Sequence, residues 1–343
     1  MSDEDKDAPR GPAVVLDAIR GTARTATWRR RGVSAHAIGR GEWSHPAHGI
    51  ARPRDNDCAD RVDDWMSVAV AAMGPRHALG GWASGRLQGV VHMDGVRFGE
   101  LAPVLVHCLD GAQLRKRRQI RPSEARVDDD ELSTVERTGV TTLARAAFDE
   151  ACDARGLEDA VVALDSFAAT LRGGARTTLA AVALVVSRHG KHRGIVQARE
   201  ALTLASVRAM SPWETRLRLR AERVVDADEL MVNVPVFTTD GRLLGVPDLL
   251  DVSSGLVLES DGSHHRDMSE HSADNRREEG MEDADLEVVR FGAVDHRDPS
   301  DMERRIANGR RRALARPGAT RGWTLQPPAW WYGSRLAQLW GWP

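Results

Sequence analysis

The most constraining feature of this chain is the segment 246–266, VPDLLDVSSGLVLESDGSHHR, which sets carboxylates and histidines on a strand-turn-strand pattern. An extended run over Leu243–Leu250 contains Asp248, and a Ser-Ser-Gly turn leads into a second apolar run that delivers Glu259 and Asp261. Side chains alternate between the two faces of a strand, so Glu259 and Asp261 share one face. Asp248 is expected to face them from the neighbouring strand.

Carboxylates gathered in this way need a compensating positive charge. Oxygen ligands in this number, with room left for water and a phosphate, suit Mg²⁺ or Mn²⁺ better than zinc. The alternative interpretation is a solvated acidic turn followed by two histidines, because charged residues are common at surfaces. The flanking sequence favours the metal site, since a helical stretch opens near Asp274 and a further strand, LEVVRF, follows at Leu286–Phe291. The segment is therefore predicted to form a β-β-α-β unit.

This order of motifs resembles the PD-(D/E)xK nuclease core, and within it an uncharacterised bacterial group similar to very-short-patch-repair endonucleases. The pattern of that group is a helix Glu, an Asp, an ExDGxxH motif, a helix with DxxR and a strand that ends in Arg. The matching positions here are Glu214, Asp248, Glu259, Asp261, His264 or His265, Asp274, Arg277 and Arg290. The match covers about residues 211–310 and implies a restriction-endonuclease-like domain, with a mixed sheet flanked by helices.

The same resemblance implies a role for each matched residue and for one neighbour. The implied catalytic residues are Asp248, Glu259, Asp261, His264 and His265. The implied ligands of a Mg²⁺ or Mn²⁺ cofactor are Glu214, Asp248, Glu259 and Asp261. The implied phosphate-binding residues are Arg276, Arg277 and Arg290.

One position departs from the usual nuclease motif. The chain has three lysines, which are Lys6, Lys116 and Lys191. Residues 192–343 therefore contain no lysine for an ordinary ExK motif, and Asp261 stands in its place, as in the ExD motif of the resembled group. An Asp there would add a metal ligand, which leaves His264 or His265 as the candidate general acid or base.

Residues 13–54 form a basic N-terminal stretch, with eight arginines against Asp17 and Glu42. The predicted elements are three short helices and two strands, at Val14–Arg20, Thr25–Arg31, Ser34–Arg40, around Trp43 and over Gly49–Arg52. Ser34 is expected to cap the third helix, and GEWSHPAHGIARP to form a wing. This outline, over residues 13–55, resembles the N-terminal winged helix of AbiEi-type antitoxins.

The winged-helix resemblance implies DNA as a partner. The residues that would contact its phosphates are Arg29, Arg30, Arg31 and Arg40. The alternative is a protein-interaction module, because helix-turn-helix shapes also serve that purpose.

Residues 60–205 are predicted as a mostly helical connecting domain, with one strand at Val104–Cys108, VLVHC. Its later helices are placed at Leu157–Leu171, Thr177–Arg188 and Gly194–Ala205. LRKRRQIR, residues 114–121, predicts a basic hairpin arm, which either contacts nucleic acid or guards a sheet edge against aggregation. HGKH, residues 189–192, has no third ligand nearby in sequence, so no metal site is predicted there.

The two ends of the chain complete the predicted organisation. Residues 1–12 are polar and are expected to be a disordered tail. Residues 206–316 form the nuclease-like domain. Residues 317–343 form a Trp-rich tail, which either folds back over the domain surface or stacks on single-stranded nucleic acid.

Composition bounds the function classes that remain. A net charge of −2 excludes a uniformly basic coat. Three cysteines, far apart and odd in number, form neither a disulfide framework nor a CxxC metal site. The N-terminus has no hydrophobic signal core, and the apolar run Leu179–Val186 is far shorter than the ~20 residues of a membrane span. We expect a cytoplasmic protein with no membrane contact.

Together these patterns predict an α/β protein whose C-terminal domain is a metal-dependent endonuclease, hydrolysing DNA in repair or defence. The alternative is a DNA-binding regulator, the antitoxin of a toxin-antitoxin pair, whose nuclease-like fold does not cleave and whose partner is a cognate toxin protein. Glu214 discriminates between them, because a carboxylate that faces Asp248 serves a metal site and contributes nothing to a pure binding fold.

Overall fold

The computed structural model of the protein describes residues 12–56, 60–97, 99–171, 176–261, 277–316 and 321–340. The chain divides into two compact units. Unit 1 comprises Met1–Ala168 and Gly174–Ala205, and unit 2 comprises Ala169–Gly173 and Ser206–Pro343. Each unit combines helices with sheets, so the predicted α/β class is confirmed. Within these described ranges no helix has both the length and the apolar character that a bilayer span requires.

The N-terminal part of unit 1 is a set of short helices on a three-stranded antiparallel sheet. The elements are α1 (Pro12–Gly21), β1 (Ala23–Arg24), α2 (Thr25–Arg30), α3 (Ala35–Ile38), β2 (Trp43–Ala47), β3 (Ile50–Pro53) and a 3₁₀ turn at Arg54–Asn56. The strand order is β1-β3-β2. Ser34 caps α3, since its side chain accepts a hydrogen bond from the backbone N–H of Ala37. Trp28 ties α2 to the sheet by donating from Nε1 to the carbonyl of Ala51 at 2.7 Å.

The rest of unit 1 is built on a five-stranded sheet. Its elements are α4 (Arg61–Ala72), β4 (His77–Leu79), α5 (Gly81–Leu87), β5 (Val96–Arg97), β6 (Glu100–Leu101), β7 (Val104–Cys108), β8 (Ile120–Ser123), a 3₁₀ turn (Asp129–Glu131), β9 (Leu132–Val135), β10 (Thr138–Thr141), α6 (Leu143–Asp153), α7 (Leu157–Ala168), α8 (Leu179–Arg188) and α9 (Ile195–Leu204). The strand order is β8-β7-β4-β10-β9, with β7–β8 and β4–β10 parallel and the other pairs antiparallel.

This sheet differs from the mostly helical region that the sequence predicts. The predicted strand Val104–Cys108 is confirmed as β7. The other strands are three or four residues long, too short to give a clear alternation of apolar and polar residues. The predicted basic hairpin at 114–121 is reduced to one tight turn. Arg117 and Ile120 exchange backbone hydrogen bonds at 3.2 and 3.1 Å as an isolated antiparallel bridge, and β8 then runs parallel to β7. The three later helices lie close to their predicted positions, and Thr178 caps α8.

Unit 2 contains a four-stranded mixed sheet with helices on both faces. Its elements are α10 (Pro212–Ala221), a 3₁₀ turn (Ala227–Glu229), β11 (Leu230–Val232), β12 (Val236–Thr238), β13 (Leu243–Gly245), β14 (Leu249–Asp251), β15 (Leu256–Asp261), α11 (residues 277–283), β16 (Glu287–Gly292), a 3₁₀ turn (Asp295–Arg297), α12 (Pro299–Ala315), β17 (Trp323–Thr324) and α13 (Arg335–Trp340). The sheet order is β11-β14-β15-β16. β11–β14 and β14–β15 are antiparallel, whereas β15–β16 is parallel.

Alternation along β15 divides the core of unit 2 in two. Leu256 and Leu258 pack with Leu217 of α10 and Ile306 of α12. Val257 on the opposite face packs with Met281 of α11 and Leu286. The sheet is therefore packed against apolar residues on both faces.

The extended run predicted over Leu243–Leu250 is two strands in two sheets. β13 pairs with β12 in a small three-stranded sheet, and β14 pairs with β11 and β15. The break falls at residues 246–248, where Pro247 lacks the N–H that a continuous ladder needs. Asp248 therefore lies just outside the ladder, at the entrance to β14.

Part of the Trp-rich tail docks on unit 2. β17 pairs with β12, which buries Trp323. Trp331 is fully buried against Phe237, with ring centroids 5.1 Å apart. The rings cover apolar surface that would otherwise meet water, which agrees with the folded-back alternative for this segment.

Candidate active site

The first turn of α10 fixes Glu214. Ser211 caps the helix by accepting a hydrogen bond from the backbone N–H of Glu214 at 3.2 Å, and Pro212 occupies the first helical position, where no backbone donor is needed. The buried Glu214 carboxylate accepts hydrogen bonds through Oε2 from the Met210 N–H at 2.9 Å and from Asn233 Nδ2 at 2.8 Å. Its orientation is therefore set from two elements.

Asn233 connects Glu214 to Asp248. It follows β11 in a left-handed conformation, with φ of 49°, which Asn tolerates better than most residues. Its backbone N–H donates to the carbonyl of Asp248 at 3.0 Å, while its side chain donates to Glu214. One buried side chain and its own backbone thus bring the two acidic residues to the same place.

The ladder between β14 and β15 brings Asp248 to Glu259. Leu249 pairs with Leu258, so the same register carried one residue further sets Asp248 opposite Glu259. The Asp248 carboxylate accepts a hydrogen bond through Oδ2 from the backbone N–H of Ser260 at 2.7 Å. The sequence prediction that Asp248 faces this end of β15 agrees with the contact.

The ionisation of Asp248 is opposed by its surroundings. Burial raises the pKa of its carboxyl, and the negative charges of Glu214 and Glu259 raise it further, to about 7. The Ser260 N–H and the charge of Arg277 lower this pKa, but they do not compensate. Glu214 and Glu259 therefore each lie close enough to Asp248 to oppose its negative charge.

Glu259 differs from the other two carboxylates because it is paired. Its Oε1 lies 2.6 Å from Nη2 of Arg277, at the start of the described part of α11. Its Oε2 lies 3.3 Å from Nε of Arg290, the residue beside it in the parallel β15–β16 register. Arg290 also pairs with Glu278 at 3.1 Å. Two of the three arginines that the resemblance implies as phosphate ligands, Arg277 and Arg290, are thus located at this site.

The remaining predicted residues divide into one that lies near the site and three that are not described. Asp261 is half-buried at the end of β15, two residues beyond Glu259, and pairs with Gly292 of β16. His264, His265 and Arg276 lie outside the described residues.

His296 is a residue at the same end of the sheet that the sequence did not indicate. Its Nε2 lies 3.3 Å from the Ser260 hydroxyl, and its ring lies 4.6 Å from the ring of Trp213. Burial lowers the pKa of His296 to about 4, with the charges of Arg216 and Arg220 acting in the same direction. Neither His296 nor Asn233 belongs to a motif, so only the tertiary contacts reveal them.

The donor set fits a hard divalent cation. Glu214 Oε1 and Asp248 Oδ1 accept no hydrogen bond from the described residues, and neither carboxylate has a described ion-pair partner. A cation bound between them would relieve the repulsion that raises the pKa of Asp248. Glu259 already pairs with Arg277 and Arg290, and the three carboxylates do not all lie within 4.8 Å of one another in the described structure.

A closer group of metal-type ligands lies in unit 1. Asp128, Glu131 and His189 are the one described set whose ligand atoms all lie within 4.8 Å of one another. The side chain of Arg145, which is fully buried, supplies a positive charge beside this group. Its Nη1 lies 2.6 Å from Glu131 Oε2 and 3.3 Å from His189 Nε2. A guanidinium already supplies the compensating charge there, so the group is an internal ion-pair network.

The arginines predicted to contact DNA are exposed on the N-terminal helices of unit 1. Arg29 and Arg30 lie on α2, Arg31 ends that helix with its guanidinium 5.0 Å from the Trp28 ring centroid, and Arg40 follows α3. None of the four pairs with a carboxylate of the described residues. Their charges are therefore available to an anionic partner.

Comparisons with known proteins give no match: no family model, no curated protein and no solved structure is similar to this chain.

Proposed function

We propose that unit 2 is a divalent-metal-dependent nuclease that hydrolyses phosphodiester bonds of DNA, with its active site at Glu214, Asp248 and Glu259. The observation that carries the proposal is the convergence of these carboxylates from three separate elements, where burial and the charges of Glu214 and Glu259 raise the pKa of Asp248 to about 7. Like charges held together at buried and half-buried positions destabilise a fold, and such groups are typical of functional sites. A purely structural role gives no reason to keep Asp248 beside Glu214.

The order of elements around the site supports the same proposal. A helix carrying Glu214 is followed by the antiparallel pair β14–β15, a crossover that includes α11, and the parallel strand β16. This is the sequence of elements that a restriction-endonuclease-like core requires. Asp248, at the entrance to β14, lies beside Glu259 and Ser260 toward the C-terminal end of β15.

Glu214 and Asp248 would hold Mg²⁺ or Mn²⁺, with Glu259 and Asp261 as further oxygen ligands. When bound, such an ion acidifies a water molecule and offsets charge on the phosphate. Asn233 and the Ser260 N–H orient the two principal carboxylates. Arg277 and Arg290, held at the site by Glu259, would neutralise the phosphate through charge-assisted hydrogen bonds. His264 and His265 remain the candidates for proton transfer.

A second candidate function rests on a specific observation. Glu259 is compensated by two arginines, so this part of the site is neutral without any ion. That arrangement favours a DNA-binding regulator of the antitoxin kind, which keeps a nuclease-like fold but does not cleave. The exposed, unpaired arginines of α2 support DNA binding under either function.

Cleavage of labelled single-stranded and duplex DNA by the full chain, with Mg²⁺ or Mn²⁺ and then with EDTA, tests the proposal. Asp248→Asn and Glu214→Gln keep shape and remove charge, and each is expected to lower the cleavage rate by about 100-fold or more. Glu287→Gln is the matched control, because Glu287 lies on β16 but pairs with Arg312 and Arg316.

The outcomes separate the two candidates. Metal-dependent cleavage that is lost in both site variants and kept in the control supports the nuclease. Absence of cleavage on every substrate, with DNA binding retained, supports the regulator. Cleavage that is unchanged in Asp248→Asn would move the chemistry away from this site.

A further inference from the structure

A basic loop in unit 1 is fixed against the turn between β2 and β3. This basic loop comprises residues 115–118, Arg-Lys-Arg-Arg, and the β2–β3 turn comprises His48 and Gly49. Arg117 donates through Nη1 to the carbonyl of His48 at 2.7 Å, and Gln119 donates through Nε2 to the carbonyl of Pro46 at 3.2 Å. A groove of about 490 Å³ separates the two segments. Segments that are nearly seventy residues apart in the chain therefore form one surface.

The cations of this surface are not neutralised within the described part of unit 1. Arg115, Lys116 and Arg118 are exposed, and none of them pairs with a described carboxylate. Arg118 lies over the Trp65 ring, 5.8 Å from its centroid, and this contact leaves its positive charge in place. Arg117 bonds to a backbone carbonyl, which likewise does not cancel its charge.

Protection of a sheet edge against aggregation does not explain the hydrogen bonds that hold the basic loop. A charged residue that protects a sheet edge needs only to face solvent beside the edge strand. Here the side chains of Arg117 and Gln119 instead donate hydrogen bonds to backbone carbonyls of His48 and Pro46. These bonds hold the loop beside the β2–β3 turn. The same turn contacts the start of α2, because the backbone N–H of Thr25 donates to the carbonyl of Gly49 at 3.0 Å. Since α2 carries the exposed Arg29 and Arg30, the loop lies beside a turn that is joined to another cationic element.

We propose that the basic loop binds the phosphate backbone of duplex DNA beside the segment contacted by the N-terminal helices. Duplex DNA presents one phosphate charge about every 1.7 Å along its axis, so a row of cations on adjacent segments is a suitable complement. The contact would add affinity that does not depend on sequence, and it would fix the position of the β2–β3 turn on the duplex. The inference rests on the DNA-binding part of the proposed function and not on cleavage.

The test is fluorescence anisotropy of a labelled duplex with the full chain at a series of NaCl concentrations. Arg115→Ala/Lys116→Ala removes two cations of the loop and keeps its anchors. Each lost phosphate contact lowers the slope of log affinity against log salt by about 0.9, so a decrease of about 1–2 is expected. Arg137→Ala/Lys191→Ala is the matched control, because both residues are exposed in unit 1 and lie outside the surface described above.

The possible results distinguish a failure of the loop contact from a failure of DNA binding as a whole. A salt slope that stays unchanged in the loop variant, while Arg29→Ala/Arg30→Ala reduces it, overturns the loop and leaves the N-terminal helices as the DNA contact. Absence of duplex binding by the unsubstituted protein overturns DNA binding itself, whatever the cleavage assay gives. Tighter binding to duplex RNA, lost in the loop variant, would replace DNA as the ligand. Gln119→Ala removes an anchor and no charge, so it should weaken binding with the slope retained.

Discussion

At the scale of single residues, the pKa of Asp248 differs strongly between the folded and the unfolded chain. The carboxyl has its ordinary pKa of about 3.9 when unfolded and a pKa of about 7 when folded. Between these values the folded state binds the extra proton. The contribution of Asp248 to stability is therefore fully present below about pH 4 and is lost as the pH rises through 7.

We expect Asp248→Asn to stabilise unit 2 at pH 8 in EDTA by about 1–3 kcal/mol, because it removes a buried charge that Glu214 and Glu259 repel. At pH 4 the effect should be near zero. Chemical denaturation at both pH values measures it, and the exposed Asp240→Asn serves as the control. The pKa assignment is wrong if Asp248→Asn destabilises the protein at pH 8 in EDTA.

The pair Glu259–Arg277 gives a second prediction at this scale. Glu259 is 6% exposed, so removing Arg277 leaves a buried carboxylate with Arg290 as its remaining partner. Arg277→Met is expected to cost about 1–3 kcal/mol of unfolding free energy. The double variant Glu259→Gln/Arg277→Met should cost less than the sum of the single variants, which a double-mutant cycle measures. Strict additivity would show that the two side chains do not interact.

At the scale of elements, α6 carries a buried charge network that organises unit 1. Arg145 donates to Asp149 at 2.9 Å and to Glu131 at 2.6 Å, and Asp149 lies 2.8 Å from His107. Burial alone would raise the pKa of Asp149, but His107 and Arg145 lower it to about 2. A Cβ added at Gly80 would lie 2.7 Å from His107 Nε2, so the network also requires a glycine there.

Arg145→Met should destabilise unit 1 by about 3–5 kcal/mol, because it leaves Glu131 and Asp149 buried without their main counter-charge. Arg188→Met is the matched control. This substitution breaks the more exposed ion pair between Asp130 and Arg188, the last residue of α8. Its expected cost is at most about 1 kcal/mol of unfolding free energy. Denaturant unfolding compares the two variants. Equal losses of unfolding free energy in the two variants would show that Arg145 does not hold the buried charge network together.

At the scale of the whole molecule, the two units contain separate cores. The apolar clusters around β15 and around Trp331 use only residues from 217 onward. The linking residue Thr170 donates two hydrogen bonds to the carbonyl of Val207, from its N–H at 2.9 Å and its hydroxyl at 3.0 Å. The fragment 206–343 therefore keeps its core and loses these two bonds.

We expect the fragment 206–343 to fold cooperatively, with a stability lowered by about 1–3 kcal/mol for the two lost hydrogen bonds. Circular dichroism with urea unfolding measures this. Its proposed site is intact, so it should keep any metal-dependent cleavage, whereas the fragment 12–205 should bind duplex DNA without cutting it. A fragment 206–343 that lacks a cooperative transition would show that unit 2 depends on the rest of the chain.

Local sequence signals determined much of this protein. The apolar run before Glu259 forms β15, the Ser-Pro-Trp-Glu motif begins α10, and Ser34 caps α3, because caps and short apolar runs depend on neighbouring residues only. The sequence also predicted that Asp248 and Glu259 lie close together, because the turn between two antiparallel strands sets their register.

Only the tertiary structure decided the features that depend on distant residues. Apart from β7, the five-stranded sheet of unit 1 combines strands too short to show a period. Asn233 and His296 reach the site from other elements, and the fold alone pairs the predicted Arg277 and Arg290 with Glu259. His189, without a third ligand in its own segment, meets Glu131 from fifty-eight residues away. Burial and the mutual repulsion of carboxylates arise only when the chain is folded, and these set the ionisation on which the proposed chemistry depends.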